Sequence, residues 1–463
     1  MIYPISFLGF SVCTFFIPKC LISAFLSCIV IIGKYSEREV PMFYTEKERL
    51  TPINDNYDVI VVGSGPAGVS AAIAAGRTGV KVLLLEMLGS VGGISTSGLM
   101  SHWTGRCGNK IYQEILNRSE AKAVYHTDWR ETIDTELLRN IYYEMLSDAG
   151  VDILLYTIVC DVIMDGNKIV GVIGQSKSGR VAYMAKVIID ASGDGDVAYR
   201  TGAAYTLGRD GDHKMQPATL MFKVGGVDMS RAVFPPSFET TVETPKGELQ
   251  ALAREKLPKP AGHVLLYRTN FPGVVTCNMT NVTDIDGTKV EDLTRAELAC
   301  RSQMEPIVNF LREYAPGYEH CYILTAASQI GVRETRHFHG IYTINEQEIY
   351  EAKQFDDAVV YDAWFNFDIH NIDGAGLDAH GSQKHFEQNL GYTIPYGCMV
   401  PEKVDGLLLS GRNISGTHVA HSSFRAMPIC SGIGEADGIA AALAVKTGKE
   451  VRDVSPKDIQ KHL

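Results

Sequence analysis

The chain has 463 residues, 45% hydrophobic and 21% charged, which are ordinary globular proportions. They exclude a disordered chain, a collagen-like chain and a polytopic membrane protein. With 43 Lys and Arg against 54 Asp and Glu, the net charge is −11, so no basic excess exists to bind nucleic-acid phosphates. Glycine is the one inflated count, at 44 residues, or about 9.5% against a usual ~7%. Such an excess marks backbone that turns sharply or approaches a ligand closely.

Residues 1–33 carry a single charge, Lys19, and the run from Cys20 to Gly33 is apolar throughout. The 1–41 leader has two readings, a membrane anchor or an extension ahead of a true start at Met42. A signal peptide is disfavoured, because no basic region precedes the apolar run. Lys34 and Arg38 favour a cytoplasmic main body. Membrane contact is expected only if residues 1–33 are an anchor. The ten cysteines contain no C-x-x-C, which argues against a zinc ribbon or an iron–sulfur binding run. Scattered in this way, they read as reduced, buried thiols of a cytoplasmic protein.

Asp58 to Val62 is a continuous apolar run, as in a buried parallel strand. It leads into Gly63-Ser64-Gly65-Pro66-Ala67-Gly68, a small-residue helix to Thr78, and a second apolar strand, Val80 to Leu85, ending at Glu86. This is a complete βαβ unit. Gly63 permits the turn, Gly65 lets a pyrophosphate approach the backbone, and Gly68 with Ala72 lets the helix pack on the sheet. The helix N-terminus, opening with Pro66 and Ala67, offers unpaired N–H groups to phosphate, Pro66 itself having none. Glu86 stands where a carboxylate meets ribose hydroxyls and repels a 2′-phosphate, so the ligand is FAD or NAD rather than NADP. Met87 follows, then Gly92, Gly93, Thr96 and Gly98. This further accessible backbone suits a longer ligand than NAD.

Asp134 caps a helix that runs toward Gly150, and Val151 to Met164 reads as strands. Asp165-Gly166 turns the chain into a return strand from Ile169. Ala185 to Asp190 is another buried strand, ending in Ser192-Gly193-Asp194-Gly195-Asp196. That turn lacks the following small-residue helix of a second NAD site. Near the C-terminus, Val404 to Leu409 is a strand running into Ser410-Gly411-Arg412. The glycines Gly432, Gly434 and Gly438 are read as a turn opening a helix at Ile439, with Gly432 facing the cofactor.

Together the fingerprint, Gly92-Gly93-x-x-Thr96, Ile189 to Asp196, Ile330 to Arg336 and Gly411 to Gly438 resemble the FAD-dependent oxidoreductases of the glutathione-reductase-like superfamily. More narrowly, the chain resembles the bacterial group near the heterodisulfide reductase flavin subunit. It is more distantly similar to fumarate reductase and succinate dehydrogenase flavoproteins. The resemblance implies an α/β fold: a Rossmann-like FAD/NAD(P)-binding domain of three ββα layers with an inserted α+β cap. Composition and the loss of the βαβ pattern after about Met215 divide the chain into the leader 1–41, a first FAD-binding part 57–214, a cap 215–387 and a second FAD-binding part 388–450. The resemblance further implies non-covalent FAD held by Gly63, Gly65, Gly68, Glu86, Gly93, Thr96, Ser192, Gly193, Asp194, Gly411 and Arg412. Backbone atoms around Val159 would hold the adenine. A 4Fe-4S cluster is implied by family analogy alone, and the cysteine spacing does not support it.

Two clusters are candidates for chemistry. Arg333-Glu-Thr-Arg336-His337 gathers guanidiniums that hold carboxylates. His418-Val-Ala-His421-Ser-Ser-Phe-Arg425 falls, by topology, beside the flavin ring, where a histidine relays the proton that accompanies hydride transfer. His418 and His421 are also spaced as metal ligands are, but no third ligand is evident in the sequence, so no metal is expected. His102 reads as a turn residue. The expected activity is hydride transfer between flavin and a small organic substrate. Two alternatives remain: an electron-transfer subunit serving an iron–sulfur protein partner, and a non-redox enzyme with structural FAD.

Overall fold

A computed structural model describes residues 44–119, 130–236, 240–376 and 390–463. The leader 1–41 lies outside the described residues. The chain divides into Met1–Leu50 and Thr51–Leu463, and the account below concerns the second unit.

β1 (Val59–Val62), α1 (Pro66–Arg77) and β2 (Val82–Leu85) form the expected βαβ unit. α2 (Lys110–Arg118) and α3 (Thr135–Asp148) follow, and Asp134 accepts hydrogen bonds from the N–H groups of Glu136 and Leu137 at the start of α3. β3 (Asp152–Leu154) joins β2 in parallel. β4 (Ile158–Asp165), β5 (Lys168–Ser176) and β6 (Gly179–Met184) make an antiparallel meander. β7 (Val187–Asp190) then pairs in parallel with β1, and α4 (Asp196–Arg200) follows it.

β8 (Tyr205–Leu207) leaves this body for the next. There β9 (Phe222–Gly225), β10 (Leu266–Arg268), β11 (Val275–Cys277) and β12 (Tyr322–Ala326) form an antiparallel sheet in the order β10-β11-β9-β12. α5 (Leu249–Lys256) and the long α6 (Val290–Tyr314) cover it, α6 through Cys300, Met304, Ile307, Val308 and Leu311. β13 (Arg336–Phe338) returns to pair with β8, and β14 (Ala358–Ala363) pairs with β15 (Tyr392–Pro395). β16 (Leu407–Leu409), α7 (His418–Phe424) and α8 (Met427–Thr447) complete the first body.

The central sheet, in the order β16-β7-β1-β2-β3, is parallel throughout. Every residue of β1, β2 and β7 is buried. Full burial requires cover on both faces, which is why these strands are uniformly apolar rather than alternating. Helices α1 and α8 and the β4–β6 meander share one core with the sheet, giving the expected three layers. α8 is long and apolar enough to cross a membrane, but 89% of its apolar window is buried inside the protein, so it is a core helix.

α8 begins at Met427, twelve residues before the expected start at Ile439. Its glycines are helical and face α1. A Cβ on Gly434 would lie 2.0 Å from the Ala67 carbonyl oxygen, and one on Gly438 would lie 2.1 Å from that of Ala71. These glycines exist so that two helices can touch backbone to backbone.

The span 215–387 falls into parts. Residues from Ala218 to Ala327 build a second core. Phe338, Ile344, Val359, Val360 and Trp364 pack in the first core, as do Val451, Val454 and Ile459 beyond residue 450. Residues 377–387 lie outside the described residues.

Candidate active site

One cleft of about 900 Å³ runs between the two cores, within the ~300–1,000 Å³ usual for cofactor and ligand sites. It opens at the C-terminal ends of β1, β2 and β7, where open parallel sheets bind ligands.

At the phosphate end Gly63 adopts φ 93° and sits against the Ala191 carbonyl. A Cβ on Gly65 would meet nothing within 4 Å, so the backbone lies bare toward the cleft. Pro66, first in α1, lacks only an N–H that has no helical partner in any case. Gly68 does not line the cleft: a Cβ there would lie 1.9 Å from the Gly63 carbonyl oxygen. Glu86 is pinned at the mouth of β2. Its Oε2 accepts from Ser64 N (2.8 Å) and Ser64 Oγ (2.6 Å), and its Oε1 accepts from Leu88 N (2.7 Å). Met87 and Val159 line the adjoining wall.

Gly93 lines the cleft, whereas Gly92 and Thr96 shape its loop from behind. Gly92 has φ 106°, and Thr96 donates its hydroxyl to the Val91 carbonyl at 2.6 Å. Ser192, Gly193, Asp194, Gly411 and Arg412 line the cleft together, with Arg412 paired to Asp194 at 2.7 Å. Gly432 does not line it; a Cβ there would lie 2.4 Å from Cys107 Sγ. Met427, at the start of α8, occupies that wall instead. The bare backbone at Gly65 and Gly93, the helix N-terminus and the pinned carboxylate together fit a dinucleotide cofactor.

At the other end Arg333 and Arg425 both face the cleft. Arg333 donates to the Pro217 carbonyl (2.5 Å) and Thr219 Oγ1 (2.9 Å). Burial, then the neighbouring Arg425, pulls its pKa down to about 10. Arg425 donates to Asp368 Oδ2 at 2.8 Å and to its carbonyl at 2.7 Å. His370 Nε2 lies 3.5 Å from Asp368 Oδ1. Burial, then Arg333, holds the His370 pKa down at about 4. Burial works against the Asp368 charge, but His370, Arg425 and Arg333 outweigh it and hold the carboxyl well below its ordinary range. Tyr267 and Asn278 of the second body complete this end, with Asn278 Nδ2 donating to Tyr267 Oη at 3.0 Å. His102 also lines the cleft and stacks on Tyr267 at 4.3 Å.

Asp368, His370, Tyr267 and Asn278 were not found in the sequence. The stretch Phe365-Asn-Phe-Asp368-Ile-His370 alternates apolar and polar residues. That pattern puts Asp368 and His370 on one side of an extended chain, but it names no chemistry.

Arg336, His418 and His421 do not line the cleft. Arg336 donates to the Asp194 carbonyl (2.8 Å), pairs with Asp196 (3.1 Å) and lies over the Tyr199 ring at 4.3 Å. His418 and His421 turn instead to Glu334, which is fully buried. Glu334 Oε1 accepts from His337 Nε2 (2.9 Å) and His418 Nδ1, and its Oε2 accepts from Gln216 N (3.1 Å). The His421 ring meets that of His337 edge to face at 4.6 Å. Burial, then His337, holds the His421 imidazole neutral. Arg425 follows α7 as its C-cap and reaches the cleft, while His421 sits on the buried side of the same helix and His418, at its start, is part-exposed.

A parallel sheet of this topology with a dinucleotide cleft defines a Rossmann-type dinucleotide-binding protein. A family model described as FAD dependent oxidoreductase matches residues 58–463, and the chain belongs to that family. It is an oxidoreductase whose cofactor is FAD. It is 33% identical over 188 residues to a tRNA uridine 5-carboxymethylaminomethyl modification enzyme of Dichelobacter nodosus, covering 36% of this chain and 28% of that one. It is 32% identical over 161 residues to a digeranylgeranylglycerophospholipid reductase of Picrophilus torridus, covering 30% and 39%. The matches span under half the length of these curated relatives. Among solved structures, a geranylgeranyl bacteriochlorophyll reductase-like protein of Thermoplasma acidophilum matches with TM-score 0.47 and 15% identity, covering 89% and 82%.

Proposed function

We propose that this enzyme moves a hydride between FAD and a small anionic organic molecule held by Arg333 and Arg425. The observation that carries the reading is their convergence. Two guanidiniums and His370 face one end of the cleft, around the carboxylate of Asp368. FAD, when bound, supplies the two-electron acceptor or donor.

The protein's own groups do the rest. Arg333 and Arg425 are held in place by Thr219, Pro217 and Asp368, so little ordering remains to be done when an anion binds. His370 is neutral at physiological pH and oriented by Asp368, so it can take or return the proton that accompanies hydride transfer. His418 and His421 were expected in that role, but they lie behind the cleft wall, and we assign it to His370. Met100, Leu266, Ile330 and Phe365 line the same cleft and keep it apolar. This lowers the local dielectric and strengthens the arginine contacts.

The test is anaerobic bleaching of the purified yellow protein by a panel of hydroxy acids, neutral sugars and reduced ferredoxin. A hydroxy acid should bleach the wild type, and Arg333→Ala should keep its FAD yet bleach at least about tenfold more slowly, a loss of ~1.4 kcal/mol. Bleaching by neutral sugars at equal rates in both proteins would overturn the anion reading. Reduction by ferredoxin alone would instead favour the electron-transfer role of heterodisulfide-reductase-like subunits.

A further inference from the structure

We propose that Glu334, His337 and His421 bind a divalent transition-metal ion with a nitrogen and oxygen ligand set, zinc being the simplest case. His418 hydrogen-bonds the same carboxylate but is not one of the three grouped ligands, so a water would complete the coordination. One ligand atom from each of the three lies within 4.8 Å of the others. Their relative exposures are 0%, 4% and 1%. Glu334 Oε1 and His337 Nε2 are 2.9 Å apart, a few tenths of an ångström short of the roughly 3.3 Å between ligand atoms on a tetrahedral zinc with ~2.0–2.1 Å bonds. His418 Nδ1 reaches the same oxygen.

Two further observations point to a ligand. The Nδ1 atom of His421 is buried with no hydrogen-bond partner, which is costly for a polar atom unless something else occupies it. Of the nearby guanidiniums, Arg336 pairs with Asp196, Arg412 with Asp194 and Arg425 with Asp368, while Arg333 donates to the Pro217 carbonyl and Thr219 Oγ1. Glu334 has no guanidinium or ammonium partner among the described residues; its partners are two imidazoles and a backbone N–H. A buried carboxylate ringed by imidazoles is the donor set that zinc and similar ions take, and it contains no thiolate that would favour copper(I).

The ion would clamp two segments distant in sequence, 334–337 and 418–421. Each is adjacent to a cleft arginine, Arg333 and Arg425. The ion therefore fixes the spacing of the arginine pair without touching the cleft. The metal site itself does not depend on the proposed substrate.

The test uses the full chain with FAD bound. After dialysis against a chelator, zinc is titrated calorimetrically, and cobalt(II) is titrated by its ligand-field absorption at wavelengths beyond the flavin bands. One ion should bind per chain, with the intense cobalt spectrum of a four-coordinate nitrogen and oxygen site. His421→Ala and Glu334→Gln should weaken zinc at least about tenfold with FAD content unchanged, and the exposed His320→Ala should not weaken it. If wild-type, FAD-loaded protein binds neither ion tightly, the proposal falls and the cluster is a hydrogen-bond network. Zinc affinity unchanged in both cluster variants would overturn it equally. Should the variants fail to fold, the wild-type cobalt spectrum decides alone.

Discussion

Gly65 and Gly68 stand three residues apart and answer to different constraints. A methyl group on Gly65 meets open cleft, whereas one on Gly68 strikes the Gly63 carbonyl. Gly65→Ala should therefore fold normally and bind FAD at least about tenfold more weakly, a loss of ~1.4 kcal/mol, as read by fluorescence titration. Gly68→Ala should lose stability by about 1–3 kcal/mol through overpacking, as seen in urea unfolding. The fingerprint already gives the two glycines different tasks, pyrophosphate approach at Gly65 and close packing at Gly68. His370 makes a second residue-scale case. Its folded pKa of about 4 lies below the free value of 6.5, so the unfolded state binds more protons between those limits. Its contribution to stability is then complete above pH 6.5 and is lost as pH falls toward 4. The acid limb of flavin reduction should fall near pH 4 rather than 6.5, and His370→Ala should abolish that limb while retaining FAD. A limb at pH 6.5 would remove His370 from proton transfer.

At the scale of elements, the α1–α8 pair organises the first body. Gly434 and Gly438 let α8 rest on the Ala67 and Ala71 carbonyls, and Ser70 and Ser431 share a hydrogen bond of 2.7 Å across the contact. Gly434→Ala should cost about 1–3 kcal/mol in chemical denaturation and also lower FAD affinity, because α8 carries Met427 and Cys430 into the cleft wall. Glu435 on the same helix accepts from Ile111 N of α2 at 2.8 Å, and burial pushes its pKa up to about 7. The folded state thus binds the extra proton. This contribution is fully present below about pH 4.5 and is lost as pH rises through about 7. The difference in melting temperature between wild type and Glu435→Gln should therefore change across that window; a constant difference would contradict the shift. The start of α8 was misread in the sequence because closely spaced glycines mark loops and tight helix contacts alike. Only the partner helix separates the two.

At the scale of the whole molecule, the cleft lies between two hydrophobic cores, and each supplies part of its wall. We propose that the cap spans residues 215 to about 335, since Ala218 to Ala327 share their own core and Phe338 rejoins the first. A cofactor bridging both cores stabilises the pair by mass action. Readding FAD at a hundredfold over its Kd to stripped protein should raise stability by about 2.7 kcal/mol, and a melting temperature indifferent to FAD would argue against a bridging site.

The sequence by itself determined the βαβ unit, the buried strands, Glu86 at the mouth of the second strand, and hence the cofactor class. These are local features, written in a few consecutive residues whose spacing is set by strand and helix geometry. The arginine pair was half legible: Arg333 and Arg425 were found as types, but Arg336 could not be told from Arg333 within one motif. Tertiary structure alone decided that Arg333 faces the cleft while Arg336 stacks on Tyr199, that Asp368 and His370 join it, and that His418 and His421 turn toward Glu334. Those choices depend on which side of an element meets which core, and that is fixed by contacts between residues scores of positions apart.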